Sequence, residues 1–219
     1  MKLYTYDHCP YCTRARMIFG WHNIDFEHII LLNDDESTPV GLIGKKMVPI
    51  LVKADGTAMG ESLDIVRFVD NATATQQAGS RLPENVRPEI EAWLAEINEY
   101  QNRLIMPRCV QLNLAEFATQ SAIAYFVNKK TAYIGDFSEN LKNSAQYLAK
   151  INADLIDLAD LIHSPEATNG VFSMEDILLF PILRNLSMVK GVDWQKPVLT
   201  YLENMSAQTK IDLFSDRAI

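Results

Sequence analysis

Two cysteines separated by two residues are the part of the sequence best suited to chemistry. They lie in Cys9-Pro10-Tyr11-Cys12, directly after a short strand pattern and directly before a helical one. If Cys9 caps the helix, Pro10 takes the first helical position, where its missing amide proton loses nothing. The free amides of Tyr11 and Cys12 and the positive helix end then favour a thiolate at Cys9. Cys12 is close enough to form a disulfide with Cys9 or to attack a mixed disulfide on it.

The same pair of cysteines could instead be structural thiols or half of a zinc site. Structural zinc usually takes four ligands, and the remaining Cys109 and four histidines form no second clustered pair. An iron-sulfur cluster shared between two protomers has no support in the sequence either. We therefore expect no metal, and we interpret Cys109, which lies among apolar neighbours, as a packed thiol.

Two further dipeptides could contact a ligand. Val48-Pro49 begins a predicted strand, where proline removes a hydrogen-bond donor. A cis bond would let Val48 present its backbone to a peptide that adds as a strand, whereas an ordinary trans proline at a strand start is the alternative. Glu61-Ser62, at the start of the next helix, offers amides and a hydroxyl to a carboxylate ligand. Taken alone, this dipeptide indicates only a helix cap, with Ser62 as the N-cap.

The elements around these residues fall into two classes along the chain. Residues 1–72 alternate between strand and helix patterns, in the order strand, helix, strand, helix, strand, strand, helix. Asp55-Gly56 predicts the hairpin turn in this α/β unit. Residues 73–88 are rich in small and polar residues and predict a linker. Residues 89–219 have a helical period almost throughout and predict an all-α bundle, in which Ser173 and Asp176 form a capping box.

Composition and charge exclude several classes of protein. The chain has 219 residues, 48% of them hydrophobic, and a formal net charge of -8, which argues against general binding to nucleic acid. No apolar run reaches the roughly 18 residues of a membrane span. The N-terminus begins with a strand pattern rather than a signal-peptide pattern, and three cysteines form no disulfide framework. We therefore expect a cytoplasmic protein that acts neither on membranes nor on nucleic acid.

The order and spacing of Cys9-Pro10-Tyr11-Cys12, Val48-Pro49 and Glu61-Ser62 resemble the glutaredoxin active site within a thioredoxin-like domain. The helical second half, with its capping box, resembles the C-terminal domain of glutathione transferases. Together they resemble the bacterial glutaredoxin 2 family, two-domain glutaredoxins built on a transferase-like frame. The resemblance spans nearly the whole chain and is most specific in the N-terminal motifs.

The resemblance implies a role for each of these residues. Cys9 attacks a disulfide and Cys12 resolves it. The remaining positions form the glutathione site, with Pro49 cis, Val48 pairing with the glutathione backbone, Glu61 and Ser62 holding its γ-glutamyl end, and Pro10 and Tyr11 beside the groove.

The implied activity is reduction of protein-glutathione mixed disulfides and some protein disulfides, with glutathione as co-substrate, by a monomer. One alternative is a cysteine-type glutathione transferase or dehydroascorbate reductase. Cys12 argues against it, because conjugation has no use for a resolving thiol. The other alternative is a non-catalytic transferase-like binding protein, in which the thiols are incidental.

Overall fold

The computed structural model describes residues 1–77 and 81–219, and side chains are described outside residues 74–80. The chain forms two compact units. The first consists of Met1–Arg81, Asn113–Asn128 and Thr209–Ile211, and the second contains the remaining residues. Part of the predicted linker, residues 78–80, lies outside the described residues. The division at residues 73–88 stays a prediction.

The first unit is built on a four-stranded mixed sheet in the order β2-β1-β3-β4. Its main elements are β1 Lys2–Thr5, α1 Pro10–Trp21, β2 Glu27–Ile30, α2 Ser37–Ile43, β3 Ile50–Val52, β4 Ala58–Met59 and α3 Ser62–Gln77. β1 pairs with β2 in parallel and with β3 antiparallel, so that Leu3 lies between His28 and Leu51. Leu3 and Leu51 are fully buried, and α1 packs against α3. This arrangement fixes the end of β1, from which the chain enters the cysteine motif.

The element order in the first unit is as predicted, but several boundaries differ. β3 begins at Ile50, so Val48 and Pro49 precede the strand rather than open it. α3 continues to Gln77, five residues into the predicted linker. Within this extension Thr73 is buried, and its hydroxyl donates to the Val69 carbonyl at 2.9 Å. A single buried threonine leaves little apolar periodicity, which explains why the pattern was missed.

The second unit is helical, as predicted. With α6, which begins in the first unit, its helices are α4 Pro88–Asn98, α5 Gln101–Cys109, α6 Gln120–Ile134, α7 Phe137–Lys142, α8 Ser144–Leu161, α9 Met174–Leu186 and α10 Lys196–Thr209. The predicted capping box is present at the start of α9, where Asp176 accepts a hydrogen bond from the Ser173 amide at 2.8 Å. Within the described ranges, no helix is both long and apolar enough to cross a membrane.

The helical period predicted for the second half of the chain is interrupted between α4 and α5. Tyr100, at the break, has φ −131, outside the helical range. Its hydroxyl donates to the Asp154 carboxylate, and the Trp93 indole donates to the Asp154 carbonyl at 2.7 Å. These contacts with α8 hold the side chains of Tyr100 and Trp93 in place. No local sequence pattern predicts them.

Candidate active site

Cys9 stands at the start of α1 in the position that the sequence predicted. It is the N-cap residue, with extended backbone angles of φ −76 and ψ 117, and Pro10 follows as the first helical residue. The Cys9 carbonyl accepts the first helical hydrogen bond, from the Thr13 amide at 3.0 Å. The Cys9 side chain is therefore held at the positive end of the helix, where it remains partly exposed.

The environment of Cys9 favours its thiolate. The pKa of Cys9 is lowered to about 7, chiefly by a hydrogen bond from the Cys12 thiol. Burial opposes this change, whereas the electrostatic interaction with His8 and the amides of Cys12 and Tyr11 contribute to it. The sequence interpretation named the amides and the helix end but missed the two side chains. Near neutral pH, a substantial fraction of Cys9 is the nucleophilic thiolate.

Cys12 has the opposite character. It is fully buried, and its sulfur accepts a hydrogen bond from the Tyr6 amide at 3.4 Å. Burial raises the pKa of Cys12, and so do its hydrogen bond to Cys9 and the negative charge there. None of the three cysteines, each of which the structure describes, forms a disulfide. The pair therefore combines an accessible, acidic thiol with a shielded, protonated one.

Val48 and Pro49 form a bend immediately before β3. Their peptide bond is cis, as the resemblance implied. Pro49 is buried and Val48 is half-buried. That Val48 pairs with the glutathione backbone stays a prediction.

Glu61 and Ser62 begin α3, but the capping residue is Glu61 rather than Ser62, which was the predicted N-cap. The Glu61 carbonyl accepts the first helical hydrogen bond, from the Ile65 amide at 3.0 Å, so Glu61 is the capping residue and Ser62 the first helical one. Glu61 has φ 63, a left-handed conformation that costs a non-glycine residue about 1 kcal/mol. Such strained residues are concentrated at functional sites. The Glu61 carboxylate is exposed and pairs with Lys45 at 2.9 Å.

Tyr11 is the exposed aromatic residue of the motif. About half of its surface, 54%, is accessible, although the residue adjoins the buried Cys12. The Arg14 guanidinium lies over its ring, 4.8 Å from the centroid. Tyr11 therefore presents a broad apolar face to a partner that approaches the start of α1.

His8 and Glu116 also belong to this site, and the sequence interpretation missed both roles. Glu116 lies in a short 3-10 helix, Ala115–Phe117, and its side chain is completely buried. Its Oε1 accepts hydrogen bonds from the His8 amide at 2.9 Å and from the His8 ring Nδ1 at 2.7 Å. The two residues are 108 positions apart, so no local pattern could have revealed the pair.

The third cysteine has the surroundings of a structural residue. Cys109 is fully buried, and its thiol donates to the Met106 carbonyl at 3.2 Å, as expected of a packed thiol. In the part of the chain that the structure describes, no three His, Cys, Asp or Glu side chains converge as a metal site would require.

A mixed sheet with an acidic cysteine at the start of its first helix, combined with a helical unit, defines a thiol-disulfide oxidoreductase on a glutathione transferase-like frame. Residues 89–218 match the family described as glutaredoxin 2, C-terminal domain, and residues 3–77 match the glutathione S-transferase N-terminal domain. Glutaredoxin 2 of Escherichia coli (strain K12) is 48% identical over 220 residues, covering 100% of both chains. The chain therefore belongs to the glutaredoxin 2 family of glutathione-dependent thiol oxidoreductases.

Solved structures agree with this assignment. Glutaredoxin 2 from Salmonella typhimurium, determined in complex with glutathione, is 48% identical, with a TM-score of 0.94 over 100% of this chain and 98% of its own. The beta-etherase LigF from Sphingobium sp. strain SYK-6 is only 16% identical but has a TM-score of 0.62, with 96% of each chain covered. The more distant likeness extends the fold, though not the activity, to the wider transferase group.

Proposed function

We propose that the protein reduces protein-glutathione mixed disulfides, and some protein disulfides, with glutathione as co-substrate. The observation that carries this proposal is the asymmetry of the two thiols. Cys9 is partly exposed with a pKa of about 7, whereas Cys12 is buried with a raised pKa. Thiol-disulfide exchange needs a thiolate that attacks and a second thiol that is held back until a mixed disulfide has formed.

The deglutathionylation cycle uses Cys9 alone. The Cys9 thiolate attacks the glutathione sulfur of the substrate, forming a Cys9-glutathione disulfide and releasing the protein thiolate, which takes up a proton. A second glutathione thiolate then attacks the glutathione sulfur of this intermediate. The step forms glutathione disulfide and returns the Cys9 thiolate, so one glutathione thiol is oxidised as one protein sulfur is reduced to a thiol.

Reduction of a protein disulfide also requires Cys12. The Cys9 thiolate first forms a mixed disulfide with one protein sulfur and releases the other as a thiol. Cys12, which donates a hydrogen bond to Cys9 in the reduced protein, then attacks the Cys9 sulfur and displaces the second protein thiol. Two glutathione molecules reduce the resulting Cys9-Cys12 disulfide and leave as glutathione disulfide.

Glutathione is proposed to bind along Val48 and the start of α3. Val48, just outside β3, can pair its backbone with the extended tripeptide. The amides at the start of α3 and the Ser62 hydroxyl suit the γ-glutamyl carboxylate, while the exposed Glu61 carboxylate suits its ammonium group. Pro10 and Tyr11 border the thiol end of this site. The Salmonella typhimurium relative in complex with glutathione supports the ligand assignment.

The proposed function is tested by measuring turnover of a mixed disulfide between glutathione and a small thiol, with glutathione reductase coupled to the reaction. Conjugation of an aromatic electrophile and reduction of dehydroascorbate should be measured on the same preparation. We expect strong coupled turnover and negligible conjugation. Absence of coupled turnover, or conjugation or dehydroascorbate reduction as the dominant activity, would contradict the proposal.

Glu61→Gln should raise the KM for glutathione by roughly tenfold with little change in kcat, because one charged contact to the ligand ammonium is lost. Glu27→Gln is the matched control, since Glu27 also forms an exposed ion pair in the first unit, with Lys2 at 3.0 Å. Its kinetics should match the parent protein. Equal KM values for both variants would remove Glu61 from the proposed site.

Several expectations about the protein's setting remain predictions. They are action as a monomer, residence in the cytoplasm, and a substrate range of glutathionylated and disulfide-containing proteins. Sedimentation of the purified protein and fractionation of cells address the first two.

A further inference from the structure

The pair formed by His8 and Glu116 is the feature of the first unit that the proposed reaction does not yet use. The His8 side chain is only 12% exposed, and the Glu116 side chain is fully buried. His8 donates two hydrogen bonds to Glu116 Oε1, while Glu116 Oε2 has no hydrogen-bond partner among the described residues. A carboxylate in such a place is costly unless a cation compensates it.

Aromatic rings and the buried Glu116 carboxylate surround the His8 ring. The ring stacks on Phe117 with centroids 5.1 Å apart, and the edge-on ring of Phe126 lies at the same centroid distance. Tyr6 stacks at 5.9 Å. Aromatic faces attract a cation, and a hydrogen bond of 2.7 Å to a buried carboxylate has the length of a charge-assisted pair. Although burial disfavours ionised Glu116, the His8 hydrogen bonds and charge lower the Glu116 pKa.

The His8 ring belongs to the residue directly before the nucleophile. The Glu116 bond to the His8 amide also fixes the backbone that leads from β1 into Cys9, and the Glu116 carbonyl accepts from the Asn33 amide at 2.9 Å. One buried carboxylate therefore sets both the position of the ring and the path of the chain beside the thiol.

We propose that His8 and Glu116 form a positioning pair, in which Glu116 holds the His8 imidazolium beside Cys9 and thereby stabilises the Cys9 thiolate. The inference rests on the proposed role of Cys9 as nucleophile, and it adds to that site two residues that tune the Cys9 thiol. The charge of His8 lowers the pKa of Cys9, after the larger effect of the Cys12 thiol. The charge of Glu116 contributes to the raised pKa of Cys12. The pair thus widens the difference between the pKa values of Cys9 and Cys12.

Other ionisable groups lie around this pair, and their effects on Cys9 must be distinguished from the effect of the pair. They are Tyr6 directly after β1, Tyr11, Cys12 and Arg14 on α1, Tyr125 on α6, Asp35, and Lys46. Arg14 is the competing cation, since its guanidinium interacts with the Cys9 charge. Asp7, beside His8, is engaged by Arg16 at 2.7 Å.

The test is the pH dependence of Cys9 alkylation by iodoacetamide, with the modified peptide identified by mass spectrometry. Glu116→Gln retains the shape and the acceptor for His8 but removes the charge that holds the imidazolium. Its alkylation midpoint should rise by about half to one pH unit, which slows alkylation roughly three- to tenfold at pH 6. At high pH the rate should equal or slightly exceed that of the parent, because a less acidic thiol gives a more nucleophilic thiolate.

A second variant removes the His8 ring without leaving the buried Glu116 carboxylate unpaired. His8→Phe combined with Glu116→Gln keeps an aromatic ring between Phe117 and Phe126 and removes both charges. Its midpoint should match that of Glu116→Gln, since either change removes the same imidazolium. A shift twice as large in the double variant would show two independent effects and overturn the pairing.

The matched control is Asp70→Asn, which removes the carboxylate from a second histidine pair in the first unit. His22 Nε2 contacts Asp70 Oδ1 at 2.9 Å, and His22 lies thirteen positions beyond Cys9, about 20 Å along α1. Its alkylation profile should not change. An unchanged midpoint in Glu116→Gln, or a shift confined to Arg14→Gln, would overturn the proposal. Because alkylation needs neither glutathione nor a disulfide, its outcome is separate from that of the proposed function.

Discussion

Cys9→Ser should abolish turnover of glutathionylated substrates and of protein disulfides alike, with a loss of at least about a thousandfold. The substitution removes the sulfur that forms both mixed disulfides. A hydroxyl at the start of α1 cannot replace it, because the environment that lowers the pKa of Cys9 to about 7 leaves an alcohol un-ionised. Coupled turnover with each substrate is the measurement.

Cys109→Ser is the matched control for loss of a thiol. Cys109 is buried in the second unit, and its hydrogen bond to the Met106 carbonyl can be retained by a hydroxyl. Both activities should persist in this variant. Normal turnover in Cys9→Ser, or an equal loss in Cys109→Ser, would mean that the nucleophile is misassigned.

Cys12→Ser should separate the two activities. Deglutathionylation needs only Cys9 and a second glutathione, so it should fall by less than about tenfold, whereas reduction of protein disulfides should fall by about a hundredfold or more. The moderate loss in the first activity has a physical cause. The Cys12 thiol makes the largest contribution to the lowered pKa of Cys9, and a serine hydroxyl preserves only part of that hydrogen bond.

Cys12→Ala distinguishes the resolving role from this hydrogen bond. Alanine removes the donor altogether, so deglutathionylation near pH 6 should fall further than in Cys12→Ser and recover as the pH is raised. Reduction of protein disulfides should stay low at every pH. Equal and complete loss of both activities in both Cys12 variants would contradict the division of roles.

Local signals in the sequence predicted the features that depend on neighbouring residues. The N-cap position of Cys9, the turn at Asp55-Gly56 and the capping box at Ser173 and Asp176 each involve residues within a few positions of one another. Propensity and periodicity are sufficient for such features. The glutathione contacts assigned to Val48 and Glu61 came instead from the family resemblance, and they stay predictions for this chain.

Features that depend on distant residues were missed. The hydrogen bond between Tyr100, at the helix break, and Asp154 joins positions 54 residues apart. The His8-Glu116 pair joins two residues with no shared pattern, so the effect of His8 on the Cys9 pKa was not predicted. At Glu61, a helix-start pattern indicated a cap but could not show which residue adopts the left-handed conformation. Tertiary contacts decided the first two of these cases.

The most direct test of the central claim is to trap the intermediate on Cys12→Ser. The variant is mixed with one equivalent of a glutathionylated peptide in the absence of free glutathione, quenched with acid, alkylated and mapped by mass spectrometry. The account predicts one glutathionyl group on Cys9, an equal amount of released peptide thiol, and an unmodified Cys109. Attachment of the peptide rather than glutathione to Cys9, or a glutathionyl group on Cys109 with Cys9 left free, would contradict it.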